Sequence, residues 1–235
     1  MFNRVSSYIR SVKERDPATR SGWDILLCNP GVHAIGLHRV SHWLWNKKLG
    51  IPARMLGMFA RWITGIEIHP AAKIGKNCYI DHGMGVVIGE TSSIGNNVTL
   101  YHGVTLGGTS WDHGVRHPQV EDDVVIGAGA KVLGPVILGR GSRVGANAVV
   151  VKSVAEGKTV IGIPARAVED NVGTMAEYEP HFSAYGTPTG DVQDPLIEEL
   201  KDEIKDLKSR LNEKDADERE EEMAAVWSMN RDTKH

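Results

Sequence analysis

An aliphatic residue returns every six positions between Ile66 and about Arg166. Glycine often follows it, and a small or β-branched residue stands four positions later. This spacing fits neither the 3.6-residue period of a helix nor the two-residue alternation of a half-buried strand. The thirteen aliphatic positions are Ile68, Ile74, Ile80, Ile88, Ile94, Leu100, Leu106, Val120, Ile126, Val132, Leu138, Val144 and Val150.

Such a six-residue repeat predicts a left-handed parallel β-helix, in which three short strands form one triangular coil. Each aliphatic side chain points inward, and the coils stack at the strand spacing of about 4.8 Å. A β-sandwich would instead alternate with period two and place turns every ~8–12 residues. The repeat is broken twice, by two extra residues near Gly85–Val87 and by an excursion from Gly108 to Gln119. Both breaks predict loops that leave the prism.

The preceding residues, 1–64, have helical periodicity and form a predicted N-terminal helical domain. Apolar positions over Val5–Val12, Val32–Leu44 and Pro52–Ile63 recur at helical spacing. Asp16 followed by Pro17 is typical of an N-cap and a first helical position, so we expect another helix to begin there. The β-helix domain is then expected over residues 65–168.

The C-terminal part is polar, and we predict a linker over 169–194 and a helical tail over 195–228. Within the tail, apolar residues are spaced 3, 4, 3, 4, which is a heptad seam. This seam is compatible with a short coiled coil or with a single solvated helix. The seam positions are Ile197, Leu200, Ile204, Leu207 and Leu211.

Composition narrows the class of protein. A formal charge of −3 gives no reason to expect nucleic acid or a membrane surface as a partner. The chain has no apolar stretch of about 18 residues, which a transmembrane helix would need. Two cysteines, Cys28 and Cys78, are too few for a disulfide framework, and no metal-binding cluster is evident. We therefore expect a soluble cytoplasmic protein without a metal.

Short motifs lie at the breaks of the repeat and just before it. They are Arg15-Asp16-Pro17-Ala18, His42-Trp43-Leu44-Trp45, Glu67-Ile68-His69-Pro70, Asp81-His82-Gly83, Gly107-Gly108-Thr109 and Arg116-His117-Pro118. With these motifs the chain closely resembles the bacterial and plant serine acetyltransferases, from about Asp16 to Arg166. The resemblance implies transfer of acetyl from acetyl-CoA to L-serine, the first step of cysteine biosynthesis, by direct attack without an acetyl-enzyme.

The resemblance also implies the catalytic groups. Serine's hydroxyl is a poor nucleophile at neutral pH, so a base must remove its proton as it attacks. His82 matches the family's catalytic base. The carboxylate that orients this imidazole is Asp in the family, whereas the matching residue here is Glu67, which is one methylene longer.

Four further residues match family positions that bind the amino acid. Arg116 suits the α-carboxylate, because a guanidinium can donate two parallel hydrogen bonds. Asp16 and Asp81 match the positions that bind the ammonium group, and His117 matches a second histidine of the serine site. Taken alone, Asp16 would be read as a helix cap and Asp81 as a turn residue.

Acetyl-CoA is implied as the cosubstrate, lying along the prism between adjacent subunits. The positions that match its binding site are Gly108, Thr109, Ala128, Ala146 and Arg166. A backbone N–H near Gly108 is a candidate donor to the oxyanion.

Relatives of this kind assemble as homotrimers, and some pair two trimers into hexamers. The short helical region here, about 64 residues, favours the trimer. In the family a C-terminal Ile inserts into O-acetylserine sulfhydrylase. The sequence printed here ends Asp232-Thr233-Lys234-His235, so we do not expect that complex.

Two alternatives keep the fold. One is another hexapeptide-repeat O-acetyltransferase acting on a sugar or a xenobiotic. The other is a zinc hydratase, for which His82, His102 and His117 are the candidate ligands. His102 should lie one coil above His82, but it matches no catalytic residue of the family.

Overall fold

A computed structural model describes residues 2–168, 202–208 and 210. Four helices precede the strands, and they are α1 (Phe2–Lys13), α2 (Gly22–Cys28), α3 (Pro30–Asn46) and α4 (Gly50–Thr64). The strands are β1 (Glu67–Ile68), β2 (Lys73–Ile74), β3 (Tyr79–Ile80), β4 (Val87–Ile88), β5 (Ser93–Ile94), β6 (Thr99–Leu100), β7 (Thr105–Gly107), β8 (Gln119–Val120), β9 (Val125–Ile126), β10 (Lys131–Leu133), β11 (Ile137–Leu138), β12 (Arg143–Val144), β13 (Val149–Val150), β14 (Thr159–Ile161) and β15 (Arg166–Ala167).

The strands form the three faces of a left-handed parallel β-helix. Face A has the order β1-β4-β7-β10-β13, face B the order β11-β8-β5-β2, and face C the order β15-β14-β12-β9-β6-β3. All pairings are parallel except that of β14 with β15, which is antiparallel. The predicted fold is confirmed, and all thirteen aliphatic positions of the repeat are buried.

The prism continues beyond the last predicted repeat position. Val154 bridges to Leu138 on face B, and Val160 in β14 is buried over Val144 on face C. At three to a coil, the thirteen repeat positions predict little more than four coils, whereas the structure completes a fifth. β15 then closes face C by pairing with β14.

Both predicted breaks are loops. The two extra residues lie in the turn between β3 and β4, which includes His82 and Gly85, both with positive φ. The excursion begins at Gly108, as predicted. It ends one residue earlier than predicted, because Gln119 already belongs to β8 and pairs with Ile137 of β11.

The N-terminal helices pack on the first coil. At Gly31 of α3 a Cβ would lie 2.3 Å from the carbonyl oxygen of Ile80, so this close approach requires glycine. Gly65 ends α4 in the left-handed conformation, with φ 71°. The predicted helix start at Pro17 is wrong. Residues 17 and 18 form a turn, and α2 begins at Gly22 after Ser21 as its N-cap.

The chain divides into two units, Met1–Thr189 and Gly190–His235. In the second, residues 202–208 are helical, and the seam positions Ile204 and Leu207 are exposed. The predicted linker over 169–194 and the rest of the predicted tail over 195–228 lie outside the described residues. Across the described residues, no helix is both long and apolar enough to cross a membrane.

Candidate active site

The register of face C stacks four of the singled-out residues at one corner of the prism. Tyr79 pairs with Thr99, Thr99 with Val125 and Val125 with Arg143. Three residues further on, His102, Ala128 and Ala146 stack in a column at the corner between faces C and A, and the His82 ring lies at its base, 6.0 Å from that of His102. The small residues of the upper coils leave room for a ligand along this column.

His82 stands at the base of this corner column. Its φ of 56° is in the left-handed region, which non-glycine residues seldom adopt and which is common at functional sites. Its side chain is 64% exposed, and its Nε2 lies 3.8 Å from Oδ2 of Asp81, beyond hydrogen-bonding distance. The His102 ring lies 6.0 Å away and nearly perpendicular, one coil above as predicted.

Asp16 and Asp81, the two predicted ammonium-binding carboxylates, meet at one hydroxyl group. The Tyr79 hydroxyl donates to Oδ1 of Asp81 at 2.9 Å and lies 3.4 Å from Oδ2 of Asp16. Burial raises the pKa of Tyr79 above its usual range, and the Asp81 carboxylate adds to the shift. The hydroxyl therefore stays protonated and acts as a donor.

Asp16 lies in the turn that replaces the predicted helix start. Its Oδ1 accepts from the backbone N–H of Ala18 at 2.9 Å, and its Oδ2 accepts from the Thr19 hydroxyl at 2.7 Å. These bonds fix the carboxylate beside Tyr79. Asp16 therefore caps a turn and not a helix, and its carboxylate remains half-buried beside Tyr79.

Glu67 lies near the same corner but pairs elsewhere. It begins β1 directly after Ile66, whose side chain would collide with a Cβ on Gly83. Its Oε2 lies 2.9 Å from Nη1 of Arg61. Within the described chain, neither a hydrogen bond nor an ion pair joins Glu67 to His82.

Arg116 and His117 are held at the opposite end of face A, where β4 runs into the next corner. The Thr91 hydroxyl accepts from the backbone N–H of Arg116 at 3.0 Å and from that of His117 at 3.1 Å. The Arg116 guanidinium forms an ion pair with Glu90. The hydrogen bond from Arg116 lowers the pKa of Glu90.

The partners of His117 define its protonation. Its Nδ1 accepts from the backbone N–H of Thr91 at 3.3 Å and lies 2.8 Å from the Thr91 hydroxyl. Burial lowers the pKa of His117, and the Arg116 guanidinium adds to this. A neutral ring that accepts at Nδ1 carries its proton on Nε2. Nε2 faces Gly108, since a Cβ there would lie 3.2 Å from it, so His117 presents a donor beside Gly108.

The other predicted acetyl-CoA residues are divided between the corners. Gly108 and Thr109 follow β7 at the Arg116 corner, and the Thr109 hydroxyl would lie 3.0 Å from a Cβ on Gly134 in the coil above. Ala128 and Ala146 lie in the His82 column. Arg166 begins β15 at the top of face C.

Each chain thus carries two clusters of predicted site residues at opposite ends of face A, and we call these clusters half-sites. The imidazole half-site contains His82, Asp81, Asp16 and Glu67, and the guanidinium half-site contains Arg116, His117, Gly108 and Thr109. Among the residues that the structure describes, no hydrogen bond or ion pair joins the two half-sites. Nor does any group of three or more His, Cys, Asp or Glu side chains there have the arrangement to hold a metal ion.

The sequence reasoning did not single out Tyr79 or Thr91. Tyr79 occupies an outward position of the repeat, two residues before Asp81, where an aromatic hydroxyl is a usable signal. Thr91 gives little signal, because a threonine at a prism corner is ordinary and its partners lie about 25 residues away.

Comparison with known proteins finds matching family models and relatives. The model "Bacterial transferase hexapeptide (six repeats)" matches residues 117–152, and "Hexapeptide repeat of succinyl-transferase" matches residues 72–102. The serine acetyltransferase of Bacillus licheniformis is 46% identical over 225 residues, covering 94% of this chain and 99% of that protein.

Two solved structures carry ligands. The serine acetyltransferase of Neisseria gonorrhoeae in complex with serine has a TM-score of 0.67 and 40% identity, covering 70% of this chain and 67% of that one. The serine acetyltransferase of Brucella abortus strain S19 in complex with coenzyme A has a TM-score of 0.68 and 42% identity, covering 71% of this chain and 66% of that one.

Proposed function

The chain belongs to the serine acetyltransferase family, and we propose that it transfers acetyl from acetyl-CoA to L-serine, giving O-acetyl-L-serine and CoA. The observation that carries the proposal is the pair of half-sites. One suits the ammonium group of a hydroxyl-bearing amino acid, and the other suits its carboxylate. Asp16 and Asp81 offer carboxylates to an ammonium group. Arg116 offers a guanidinium to a carboxylate. Relatives solved with serine and with coenzyme A support both ligands.

We assign the chemistry to His82. The serine oxygen attacks the thioester carbonyl as Nε2 or Nδ1 of the neutral imidazole takes the hydroxyl proton. Collapse of the tetrahedral intermediate breaks the carbon–sulfur bond, and the imidazolium returns the proton to the departing thiolate. Glu67 is the proposed orienting carboxylate, which requires its side chain to turn from Arg61 toward His82.

The oxyanion of that intermediate needs donors opposite the imidazole. We assign this role to the backbone N–H near Gly108, with the Nε2–H of His117 as a neighbouring donor to the substrate. Acetyl-CoA would run along the corner column, where Ala128 and Ala146 are small. Thr109 and Arg166 complete its proposed site.

A complete site then requires a second copy of the chain. If three chains pack around a threefold axis, the imidazole half-site of one faces the guanidinium half-site of the next, giving three sites at the seams. The exposure of His82 in the single chain is consistent with a surface that a neighbour covers. We propose the homotrimer as the active form.

The substrate assignment is tested by an acceptor screen. Purified protein with acetyl-CoA is expected to release CoA thiol rapidly with L-serine and slowly with L-homoserine, simple sugars or chloramphenicol. Sugars and chloramphenicol lack the α-ammonium and α-carboxylate pair, so they leave the polar groups of the half-sites unpaired, and L-homoserine holds its hydroxyl one methylene farther from those groups. Thiol release with a sugar but not with L-serine would show a different acceptor on the same fold.

A further inference from the structure

Tyr79 has an outward side chain that is almost fully covered, with 1% of its surface exposed. It lies on β3 beneath α1 and α2, in a cluster with Val12 and Ile25. The Arg15 guanidinium lies 5.3 Å from the centre of its ring. Packing therefore fixes the ring, so that its hydroxyl has a defined position.

The segment opposite this hydroxyl is fixed as well. Arg15 donates to the carbonyl of Asn77 at 2.7 Å and to the Thr99 hydroxyl at 3.0 Å, which ties the end of α1 to the first two coils. Asp16 follows directly. The distance between Asp16 and Asp81 is thus set by two anchored elements with one hydroxyl between them.

The described residues do not balance the negative charge of Asp16 and Asp81. A hydroxyl supplies one proton to two carboxylates. Arg15 is engaged by hydroxyl and carbonyl oxygens and by the Tyr79 ring, and it forms no ion pair with either carboxylate. Among the described residues, the one His, Lys or Arg side chain with a nitrogen within 4 Å of either carboxylate is His82, at 3.8 Å from Asp81. Both carboxylates are partly exposed, so a small cation can reach them.

We propose that the Tyr79 hydroxyl strengthens the binding of L-serine by holding Asp16 and Asp81 together around the amino group of the substrate. The inference rests on the proposed function. Tyr79 is a positioning residue, since it lies behind the carboxylates and acts through them. Without the hydroxyl the two carboxylates repel each other, and neither is aimed at the ammonium group.

The test is the variant Tyr79→Phe, which keeps the ring, its packing and the Arg15 contact. Loss of one hydrogen bond to a charged group predicts a KM for L-serine that rises about tenfold. The KM for acetyl-CoA should stay within about twofold and kcat within about threefold of the wild-type values, because the imidazole and the column are untouched. A second variant, Asp16→Asn, should raise the KM for L-serine, and adding Tyr79→Phe to it should raise it little further, since the two act as one unit.

Tyr8→Phe is the matched control. Tyr8 packs against the same cluster, and its buried hydroxyl has no hydrogen-bond partner in the part of the chain described here. The Tyr8→Phe variant should leave the KM values for L-serine and acetyl-CoA unchanged. If Tyr79→Phe leaves the KM for L-serine within about twofold, or raises both KM values alike while lowering Tm, then Tyr79 only docks the helices and the proposal is wrong. Failure of the proposed function would appear separately, as no acetylation of L-serine by the wild-type protein.

Discussion

His82→Ala is expected to lower kcat for L-serine by about 10²–10⁴-fold, the usual contribution of a positioned general base. The physical reason is that the serine hydroxyl must lose its proton as it attacks, and His82 is the imidazole placed between the carboxylates and the open column. The KM for L-serine should change little, because the groups assigned to its binding remain. The measurement is steady-state thiol release.

His102→Ala is the matched control for His82. His102 occupies the same column one coil higher, with its ring 6.0 Å from that of His82, and it has no assigned role in the reaction. Its replacement should cost much less activity than replacement of His82. Near-normal turnover of His82→Ala, or an equal loss from both variants, would remove His82 from the role of base.

Arg116→Ala is expected to raise the KM for L-serine roughly 10²-fold, because a bidentate, charge-assisted contact to the α-carboxylate is lost. Arg116→Lys should recover only part of this affinity, since an ammonium cannot donate the two parallel bonds. The KM for acetyl-CoA should move far less. The KM values for L-serine and for acetyl-CoA are measured by varying the concentrations of both substrates.

Glu90→Gln tests whether Arg116 acts by binding the substrate or through its ion pair with Glu90. This variant keeps the guanidinium and the Thr91 contacts of the loop but removes the Glu90 carboxylate charge. It should weaken L-serine binding much less than Arg116→Ala. If Glu90→Gln and Arg116→Ala both weaken the binding of L-serine and of acetyl-CoA equally, Arg116 supports the loop and does not bind the substrate.

Much of the fold follows from the sequence because a β-helix gives each repeat position one environment. An inward residue such as Leu100 or Leu106 is enclosed by its own coil and by its neighbours above and below, so aliphatic side chains recur without exception. The fifth coil was missed because Val154 and Val160 follow a shifted spacing. The same counting predicts that His102 lies above His82.

The site was less predictable, because its contacts join distant parts of the chain. Asp16 meets Tyr79 across 63 residues, and Arg116 meets Glu90 across 26. Asp16-Pro17 is compatible with a helix start and with a turn, since proline's fixed φ suits both. In the structure Arg15 docks the end of α1 on the first two coils, and residues 17 and 18 form a turn.

The short motifs do not predict that the site residues are divided into two half-sites. This division has the largest consequence for the proposed function. Asp81-His82 follows β3 and Arg116-His117 precedes β8, and face A separates them. The spacing of the repeat places them at different corners, and the proposed function needs them together. This is the reason for proposing seams between chains.

The most direct measurement combines two variants that are each strongly impaired at low L-serine concentration. His82→Ala and Arg116→Ala chains, co-expressed with different tags and purified as mixed trimers, restore a seam wherever an intact imidazole half-site meets an intact guanidinium half-site. In every such mixed trimer one of the three seams draws both of its halves intact, so the predicted activity is about one third of that of the wild type. Mixed trimers no more active than the separate variants would contradict a site shared between neighbouring chains.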